Sequence, residues 1–377
     1  GKISLSLLEL KKLNHLDLSW NDFQGKTIPE YIGSLSELSY LDLSGASFSG
    51  LVPPHLGNLS NLRYLNLRKL CKLQLLYLSN NDISGETVDL VAVLSGCGNA
   101  SLEALQLVGN KLSGQIPGST GHFKQLRSRY LQSNSFSGSI PSSIGSLNDL
   151  ETLDLSSNAM NGTIPDSIGQ LSKLVSLNLK WNSWIGKIPN WLGKLSPQLF
   201  LQDLSEFRSG AWVDLSSNFL EGSLPIWYNE MSLSHLDLSR NNLFGDIPDS
   251  SCFSPYLQVL KLFSNNFSGE LSPSLQNCTG LILLDLEENR LSGSITEWVG
   301  DNLSILSALP RGNMFSGNIP EQLSPSSYEQ DPPDFTVSYR QSMDLIVKGR
   351  QLEYNLTLGI VNVLDLSSNN LKGEISD

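Results

Sequence analysis

The sequence contains no run of about 18 apolar residues, so no stretch of it is expected to cross a membrane as a helix. It also has no excess of cations, because 25 Lys and Arg residues stand against 37 Asp and Glu residues. A net charge of −12 disfavours contact with phosphate backbones, which argues against nucleic acid as a partner. Only four histidines and four cysteines occur, and neither a zinc-site spacing nor a glycine-rich phosphate loop is found. We therefore expect no metal site and no cofactor.

One repeated phrase dominates the chain from end to end. In residues 150–165 it reads L-E-T-L-D-L-S-S-N-A-M-N-G-T-I-P. Leu153 and Leu155 are two residues apart, the period that places both side chains on one face of a short strand. Asn158 ends that strand, where its amide can bond backbone groups of the turning chain. Since so short a unit cannot bury its leucines alone, neighbouring units must stack into a solenoid with one elongated core.

The repeated asparagine sets the period, which is 24 residues in two series. The copies are Asn110, Asn134, Asn158 and Asn182, then Asn218 followed by Asn241, Asn265, Asn289 and Asn313. This period and phrase resemble leucine-rich repeats, and the added Gly-x-Ile-Pro resembles their plant extracellular subclass. The resemblance implies an α/β repeat solenoid, a leucine-rich-repeat superhelix with a parallel, concave β-sheet. A short helical turn is expected after each proline.

The repeat is interrupted late in the chain, where the next copy after Asn313 is Asn369, 56 residues on. We predict a solenoid over residues 1–320, an island without repeats over 321–358, and a resumed, truncated repeat over 359–377.

Within the island, residues 335–339 and 343–347 are expected to pair as strands. Residues 348–354 and the repeat after them resemble the island junction of plant leucine-rich-repeat receptor-like proteins. The nearest group is similar to the ethylene-inducing-xylanase receptors.

Three positions break the pattern of the repeat. Two copies arrive only 11 residues after the preceding one, since Leu70 precedes Asn81 and Phe207 precedes Asn218. Either one member of each pair is not a true coil, or the outer arc of the coil is cut short. Arg129 occupies an inward leucine position, which predicts a local irregularity.

Seven Asn-x-Ser/Thr sequons favour a glycosylated, secreted chain. They begin at Asn58, Asn99, Asn161, Asn266, Asn277, Asn302 and Asn355. The cysteines fit the same oxidising compartment, since Cys71 and Cys97 are 26 residues apart, as are Cys252 and Cys278. That separation is about one repeat, which would put each pair on adjacent coils. We predict a disulfide within each pair, with free thiols as the alternative.

Aspartate recurs between the two core leucines, at Asp17, Asp42, Asp154, Asp214, Asp237, Asp285 and Asp365. Stacked carboxylates can suggest acid–base catalysis, but we interpret these as part of the repeat, each accepting hydrogen bonds from a neighbouring serine. His15 and His235 each precede such an aspartate and are expected to be solvated, because the serine needed for a triad also occurs in coils without histidine. No catalytic residue is assigned, and an enzyme is not expected.

Aromatic and basic residues interrupt the Asp and Ser background of the face expected to meet solvent. Such residues carry much of the binding energy at protein interfaces, although any single one could merely cover the stack. We predict a ligand-binding surface of Tyr64, Tyr77, Tyr130, Lys180, Trp181, Trp212, Lys261 and Phe263. Trp181 and Trp212 are its expected anchors. A basic, aromatic lip on the island would add Tyr339, Arg340, Lys348 and Arg350.

The resemblance implies the ectodomain of a cell-surface receptor-like protein without a kinase, on the outer face of the plasma membrane. It would recognise an extracellular protein or peptide in plant immunity and signal through co-receptor and adaptor receptor kinases. Because the chain starts and stops within repeats, we expect membrane attachment only through a segment absent from it. The alternative is a secreted inhibitor of microbial cell-wall-degrading enzymes, similar to the polygalacturonase-inhibiting proteins. Those inhibitors are short, uninterrupted runs of repeats, so the island favours the receptor.

Overall fold

The computed structural model describes residues 2–53, 74–89, 91, 102–195, 210–226, 232–248, 256–272, 275, 281, 283–295, 311–318, 341–347, 350–356 and 367–372. Over these residues the chain winds as a solenoid that carries two long sheets of stacked, parallel strands. We refer to them as the inner sheet and the side sheet. Among the described residues, no helix is long and apolar enough to cross a membrane.

The inner sheet has eleven described strands, one for each coil. They are His15–Asp17, Tyr40–Asp42, Leu75–Tyr77, Ala104–Gln106, Ser128–Tyr130, Thr152–Asp154, Ser176–Asn178, Ala211–Asp214, Leu233–Asp237, Val259–Lys261 and Leu283–Asp285. Most neighbours pair in step, as Leu153 does with Leu177. The middle residue of Thr152–Asp154 is buried and the outer two are partly exposed, as the period of two predicts.

The side sheet has nine strands among the described residues. They are Ser49–Leu51, Asp82–Glu86, Lys111–Gln115, Ser135–Gly138, Ala159–Gly162, Ser183–Gly186, Phe219–Gly222, Asn242–Gly245 and Asn266–Phe267. Gly162 has a φ of +88°, a value that L side chains rarely adopt, so glycine allows the chain to leave the sheet there.

Short 3-10 helices close several of the coils. They span Leu5–Glu9, Glu30–Ser34, Gly118–His122, Ser142–Ser146, Asp166–Gln170 and Asn190–Lys194. All but the first directly follow a proline, as Asp166–Gln170 follows Pro165. The helical turn predicted after the proline is therefore confirmed, in its tighter 3-10 form.

Buried leucines and the asparagines hold successive coils together. Leu153 and Leu155 are fully buried in the continuous core. Asn158 Nδ2 donates to the carbonyl of Leu155 at 3.1 Å in its own coil, and to that of Leu131 at 3.1 Å in the preceding coil. Its Oδ1 accepts from the Phe136 N–H at 3.0 Å. The predicted role of this asparagine, satisfying backbone groups inside the stack, is confirmed.

The two early copies of the repeat belong to coils that are longer than usual. Strand Tyr40–Asp42 pairs directly with Leu75–Tyr77, and Ser176–Asn178 pairs directly with Ala211–Asp214. The asparagine bonds that close these coils span 33 and 34 residues, against 22 in a regular coil. The extra copies, which fall outside the described residues, therefore do not supply the neighbouring strand. Of the two alternatives, the one in which one copy is not a true coil is confirmed.

The irregularity predicted at Arg129 is wrong for the backbone, because Ser128–Tyr130 pairs in step with Thr152–Asp154. The side chain is 2% exposed, and Arg129 pairs with Leu105 on one side and Leu153 on the other. Its Nε and Nη1 atoms have no hydrogen-bond partner among the described residues. Burial lowers the pKa of this guanidinium to about 10. A cation has thus replaced a leucine without shifting the strand register.

The last described step of the solenoid joins Ser316–Gly317 to Asn370–Leu371, again in parallel. The intervening chain includes an antiparallel hairpin of Gln341–Val347 with Arg350–Leu356. The predicted partner of residues 343–347 is therefore wrong, because a loop of only two residues brings the following segment alongside them. Residues 335–339 lie outside the described part, and the island bounds stay a prediction.

Candidate functional site

Side chains of the inner sheet that point away from the core form two parallel rows, and we name this surface the inner face. The first row is His15, Tyr40, Leu75, Ala104, Ser128, Thr152, Ser176, Trp212, His235, Val259 and Leu283. The second row is Asp17, Asp42, Tyr77, Gln106, Tyr130, Asp154, Asn178, Asp214, Asp237, Lys261 and Asp285. Because neighbouring strands are about 4.8 Å apart, each row presents side chains at regular, rigid spacing.

An aromatic cluster of His15, Tyr40 and Tyr77 occupies the first coils of the inner face. The rings of His15 and Tyr40 stack with centroids 3.9 Å apart, and Tyr40 meets Tyr77 edge to face at 5.6 Å. Burial raises the pKa of the Tyr77 phenol, and the nearby Asp42 carboxylate adds to the effect. Stacked aromatic rings are rigid apolar contacts that retain polar groups at their edges, as many ligand surfaces require.

A charged cluster lies farther along the same face, on the strands from Ser176–Asn178 to Leu283–Asp285. Its members are Lys180, Trp212, Asp214, His235, Asp237, Lys261 and Asp285. Lys261 Nζ is 4.0 Å from Asp237 Oδ2, with both side chains close to nine-tenths buried. The rings of Trp212 and His235 are neighbours in the first row, with centroids 5.3 Å apart. Opposite charges and an aromatic surface therefore meet within about four strands.

Two carboxyl groups of the charged cluster titrate near neutral pH. Burial raises the pKa of Asp214 to about 7, and repulsion from the neighbouring Asp237 carboxylate adds to the shift. Lys180 opposes it. Burial also raises the pKa of Asp285 to about 7. The charge that this part of the inner face presents therefore changes between mildly acidic and neutral pH.

The expectation that His235 is solvated is wrong, because its side chain is 6% exposed. Burial lowers its pKa to about 3, and the cations Lys261 and Lys180 push it in the same direction. A base this weak stays neutral and cannot activate a serine hydroxyl near pH 7. His15, by contrast, is exposed as expected.

The aspartates of the second row follow the interpretation made from the repeat. Asp154 Oδ1 accepts hydrogen bonds from both the backbone N–H and the Oγ of Ser156, at 2.9 and 2.7 Å. The Ser239 N–H donates to Asp237 Oδ1 at 3.0 Å. In the described part of the chain, no group of three or more His, Cys, Asp or Glu residues could hold a metal ion. The row is thus a set of locally bonded carboxylates that cap the ends of strands.

The described members of the predicted ligand surface all lie on or beside the inner face. Tyr77, Tyr130 and Lys261 stand in the second row and Trp212 in the first. Lys180, Trp181 and Phe263 follow just after the strands. Trp181 has a φ of +55° and is 53% exposed. The residues thus form two groups, since Tyr77 and Tyr130 are separated from Trp212 by the strands that carry Thr152 and Ser176.

Several predicted residues cannot be placed on this face. Tyr64, Tyr339, Arg340 and Lys348 lie outside the described residues, and Arg350 begins the second strand of the hairpin. The four cysteines Cys71, Cys97, Cys252 and Cys278 also lie outside, as do the sequon residues Asn58, Asn99, Asn277 and Asn302. The other sequon residues, Asn161, Asn266 and Asn355, lie on strands.

Sequence reasoning missed Asp214, His235 and Asp237 as members of the site. The available signal was the coincidence of Trp212 with Asp214 in one coil and of His235 with Asp237 in the next. Such adjacency predicts a cluster only once the extended coil before Trp212 is recognised, because an error in register separates the two strands.

Models of the leucine-rich repeat family match several segments of the chain. The matched residues are 9–26, 37–59, 72–94, 124–183, 232–253 and 256–278.

Plant receptor-like proteins are among the similar curated proteins. The chain is 40% identical to receptor-like protein EIX1 of Solanum lycopersicum over 107 residues, which cover 28% of this chain and 9% of that protein. It is 58% identical to EIX2 of the same plant over 53 residues, or 14% of this chain and 5% of that protein. Receptor-like protein 54 of Arabidopsis thaliana is 32% identical over 127 residues, or 31% and 16%. The matches therefore span less than a fifth of each relative.

Ectodomains of plant receptors are among the similar solved structures. The structure of PEPR1 with AtPEP1 matches with a TM-score of 0.70 and 34% identity, over 85% of this chain and 41% of that one. The ectodomain of the Arabidopsis receptor kinase HAESA, in complex with an extended IDA peptide hormone, gives 0.68 and 31%, over 85% and 49%. HAESA with IDA and the co-receptor SERK1 gives 0.57 and 30%, over 85% and 57%.

Proposed function

Because the chain belongs to the leucine-rich-repeat receptor-like proteins of plants, we propose that it is the ligand-binding ectodomain of a cell-surface receptor without a kinase. Its ligand is an extracellular protein or peptide, recognised in immunity at the outer face of the plasma membrane. Signalling passes to co-receptor and adaptor receptor kinases, and membrane attachment is made by a segment outside this chain.

The observation that carries the proposal is the charged cluster of the inner face. Trp212 offers an aromatic surface between two coils, and Lys180 and Lys261 place cations on either side of the Asp214 and Asp237 carboxylates. Interfaces concentrate their binding energy in aromatic and charged residues that are shielded from water. The rigid spacing of the strands means that little conformational entropy is lost when a ligand binds there.

The similar solved structures support an extended ligand on such a surface. PEPR1 is in complex with AtPEP1, and HAESA is in complex with IDA and SERK1. Between the two clusters of this chain, the first row carries the small residues Ser128, Thr152 and Ser176. An extended peptide could lie along these small side chains and reach the aromatic cluster at one end and the charged cluster at the other.

The island supplies the second part of the proposed surface. Tyr339, Arg340, Lys348 and Arg350 form a basic, aromatic lip in a chain of net charge −12. A lip of this kind suits an acidic partner, either a ligand or a co-receptor, and its association would weaken with added salt. The extra length of chain between Asn313 and Asn369 disfavours the alternative of a secreted inhibitor built from uninterrupted repeats.

Titration of labelled probes against the purified chain tests the proposed footprint. The probes are an ethylene-inducing fungal xylanase and the synthetic peptides AtPEP1, RGF2 and IDA. For any probe that binds, Trp212→Ala should weaken the affinity by more than about 1 kcal/mol, or roughly fivefold. Lys173→Ala is the control, because Lys173 follows the outer 3-10 helix and pairs with Asp149 at 2.6 Å.

Two outcomes would contradict the proposal. Loss of binding in Lys173→Ala with full binding in Trp212→Ala would place the ligand on the outer arc instead. Inhibition of a microbial polygalacturonase by the chain, with no binding to any of the four probes, would favour the inhibitor.

A further inference from the structure

The side sheet places an exposed aromatic ring beside a glycosylation sequon. Strand Asn242–Gly245 pairs in parallel with Asn266–Phe267, and Phe244 pairs directly with Asn266. Leu243 and Phe267 are fully buried, so the residues that alternate with them face solvent. Phe244 is 54% exposed. Since paired strands are about 4.8 Å apart, the ring stands immediately next to the asparagine side chain.

Asn266 differs from the asparagine that precedes it. Asn265 is the ladder residue of this coil, and its Nδ2 donates to the carbonyls of Leu238 and Leu262, each at 3.0 Å. The side-chain amide of Asn266 has no such bond to any described residue and is partly exposed. Within the sequon Asn266-Phe267-Ser268, the acceptor amide is therefore the one that the fold leaves available.

A glycan attached at this position would begin over the Phe244 ring. The first sugar of an N-linked glycan is N-acetylglucosamine, and one face of its pyranose ring carries only C–H groups. The face of a phenyl ring is electronegative and attracts the slightly positive hydrogens of those groups. Contact would also remove apolar area of Phe244 from water, which is favourable in proportion to that area.

We propose that the first N-acetylglucosamine of an N-glycan on Asn266 packs against the ring of Phe244. The inference requires passage through the secretory pathway, which the proposed function also requires, but it does not depend on any ligand. Packing of this kind fixes the direction in which the glycan leaves the side sheet. A sugar held there lies away from the inner face and leaves its two rows of side chains accessible.

The side sheet contains its own control, because a second sequon occupies a similar place without an aromatic neighbour. Asn161 is exposed and lies on the strand Ala159–Gly162, where it pairs directly with Ser183. Ile185 and Phe219 are as exposed as Phe244, at 51% and 55%, and pair with each other instead of with a sequon. Exposure alone therefore does not distinguish Phe244; its pairing with Asn266 does.

The test uses the whole chain secreted from plant cells, with its glycans trimmed to single N-acetylglucosamine residues that carry a carbon-13 label in the acetyl group. Each acetyl methyl resonance is assigned by its loss in the matching variant, Asn266→Gln or Asn161→Gln. A methyl group that lies over an aromatic face resonates upfield. We expect the Asn266 methyl to lie upfield of the Asn161 methyl, and to move to the Asn161 position in Phe244→Ala.

A gain-of-contact variant and a rate measurement complete the test. Ser183→Phe should shift the Asn161 methyl upfield. Removal of untrimmed glycans by a glycoamidase, followed at each site by mass spectrometry, should be several-fold slower at Asn266 than at Asn161, and Phe244→Ala should abolish the difference. An unoccupied Asn266, or an Asn266 methyl unaffected by Phe244→Ala, would overturn the inference. Neither result would affect the ligand titrations, so the two proposals fail separately.

Discussion

The side chain of Asn369 accepts a hydrogen bond from the backbone N–H of Phe315, at 3.1 Å, across 54 residues of chain. In a regular coil the same bond spans 22 residues, as from Phe267 to Asn289. The acceptor geometry is unchanged although the connection is much longer. The inter-coil bond is therefore set by the stacking of the strands, and the length of chain between two coils can vary without disturbing it.

The asparagine ladder should contribute measurably to stability. Asn241 Oδ1 accepts from the Leu220 N–H at 3.0 Å, and its Nδ2 donates to the Leu215 and Leu238 carbonyls at 3.1 and 3.0 Å. Replacement by alanine leaves these buried backbone groups without partners, and each unpaired group is unfavourable. We expect Asn241→Ala to lower the free energy of unfolding by about 1–3 kcal/mol, measured by denaturant titration.

The matched control is the next residue, Asn242, which is exposed on the side sheet. Asn242→Ala should change the free energy of unfolding by less than about 0.5 kcal/mol, as surface substitutions usually do. Equal effects of the two substitutions would show that the ladder assignment is wrong. Asn158→Ala should behave like Asn241→Ala, because its four hydrogen bonds have the same pattern.

The regular part of the fold follows from the sequence because each coil repeats the same local solution. The leucine spacing, the asparagine and the proline together specify the strand, the inter-coil bond and the 3-10 helix of the coil that contains Asn158. The two extended coils could not be assigned in the same way. Residues 199–204 carry leucines at plausible spacing, and only the direct pairing of Ser176–Asn178 with Ala211–Asp214 excludes them from the next position in the sheet.

Burial on the inner face was harder to predict than position. The alternation of each strand places His235 on the solvent side of the sheet, which is correct, and suggests that it is hydrated, which is not. Whether a side chain on that face is covered depends on its neighbours across strands, here Trp212 and Val259. That information is non-local, because Trp212 and His235 come from different coils.

Replacing the buried arginine should stabilise the chain. Arg129 holds a cation in the core, and its Nε and Nη1 lack partners among the described residues. Leucine occupies the matching position in both neighbouring strands, at Leu105 and Leu153. We expect Arg129→Leu to raise the free energy of unfolding by about 1–3 kcal/mol, since an unsatisfied buried polar group is removed and the site accepts an apolar side chain. Thermal and denaturant melts would measure it.

The control for this substitution is Arg127, whose side chain is 59% exposed and lies 3.6 Å from Glu151. Arg127→Leu should have little effect or slightly destabilise the chain, because exposed ion pairs contribute about 0–1 kcal/mol. A loss of stability in Arg129→Leu would mean that the guanidinium makes a favourable interaction after all. Unchanged stability in both variants would argue against a desolvation penalty at Arg129.

The last prediction concerns pH. The pKa of Asp214 is raised to about 7 in the folded chain, from its ordinary value of 3.8, first by burial and then by the adjacent Asp237. A folded state that binds the extra proton is favoured between these two values, so this group's contribution to stability is full below pH 3.8 and is lost as the pH rises through 7. Asp214→Asn mimics the protonated carboxyl. It should therefore change the free energy of unfolding little at about pH 5, and raise it at about pH 8 by no more than a few kcal/mol.

The buried histidine beside this carboxylate gives a control of opposite sign. Burial lowers the pKa of His235 from 6.5 to about 3, so the unfolded chain binds more protons in that interval and stability falls as the pH drops below 6.5. His235→Asn should remove this loss, and its benefit relative to wild type should grow toward about pH 4, the reverse of Asp214→Asn. Denaturant titrations of the wild type and both variants at about pH 4, 5, 6.5 and 8 would measure the two slopes. Parallel slopes for the two variants would mean that the difference comes from the net charge of the chain and not from the two buried groups.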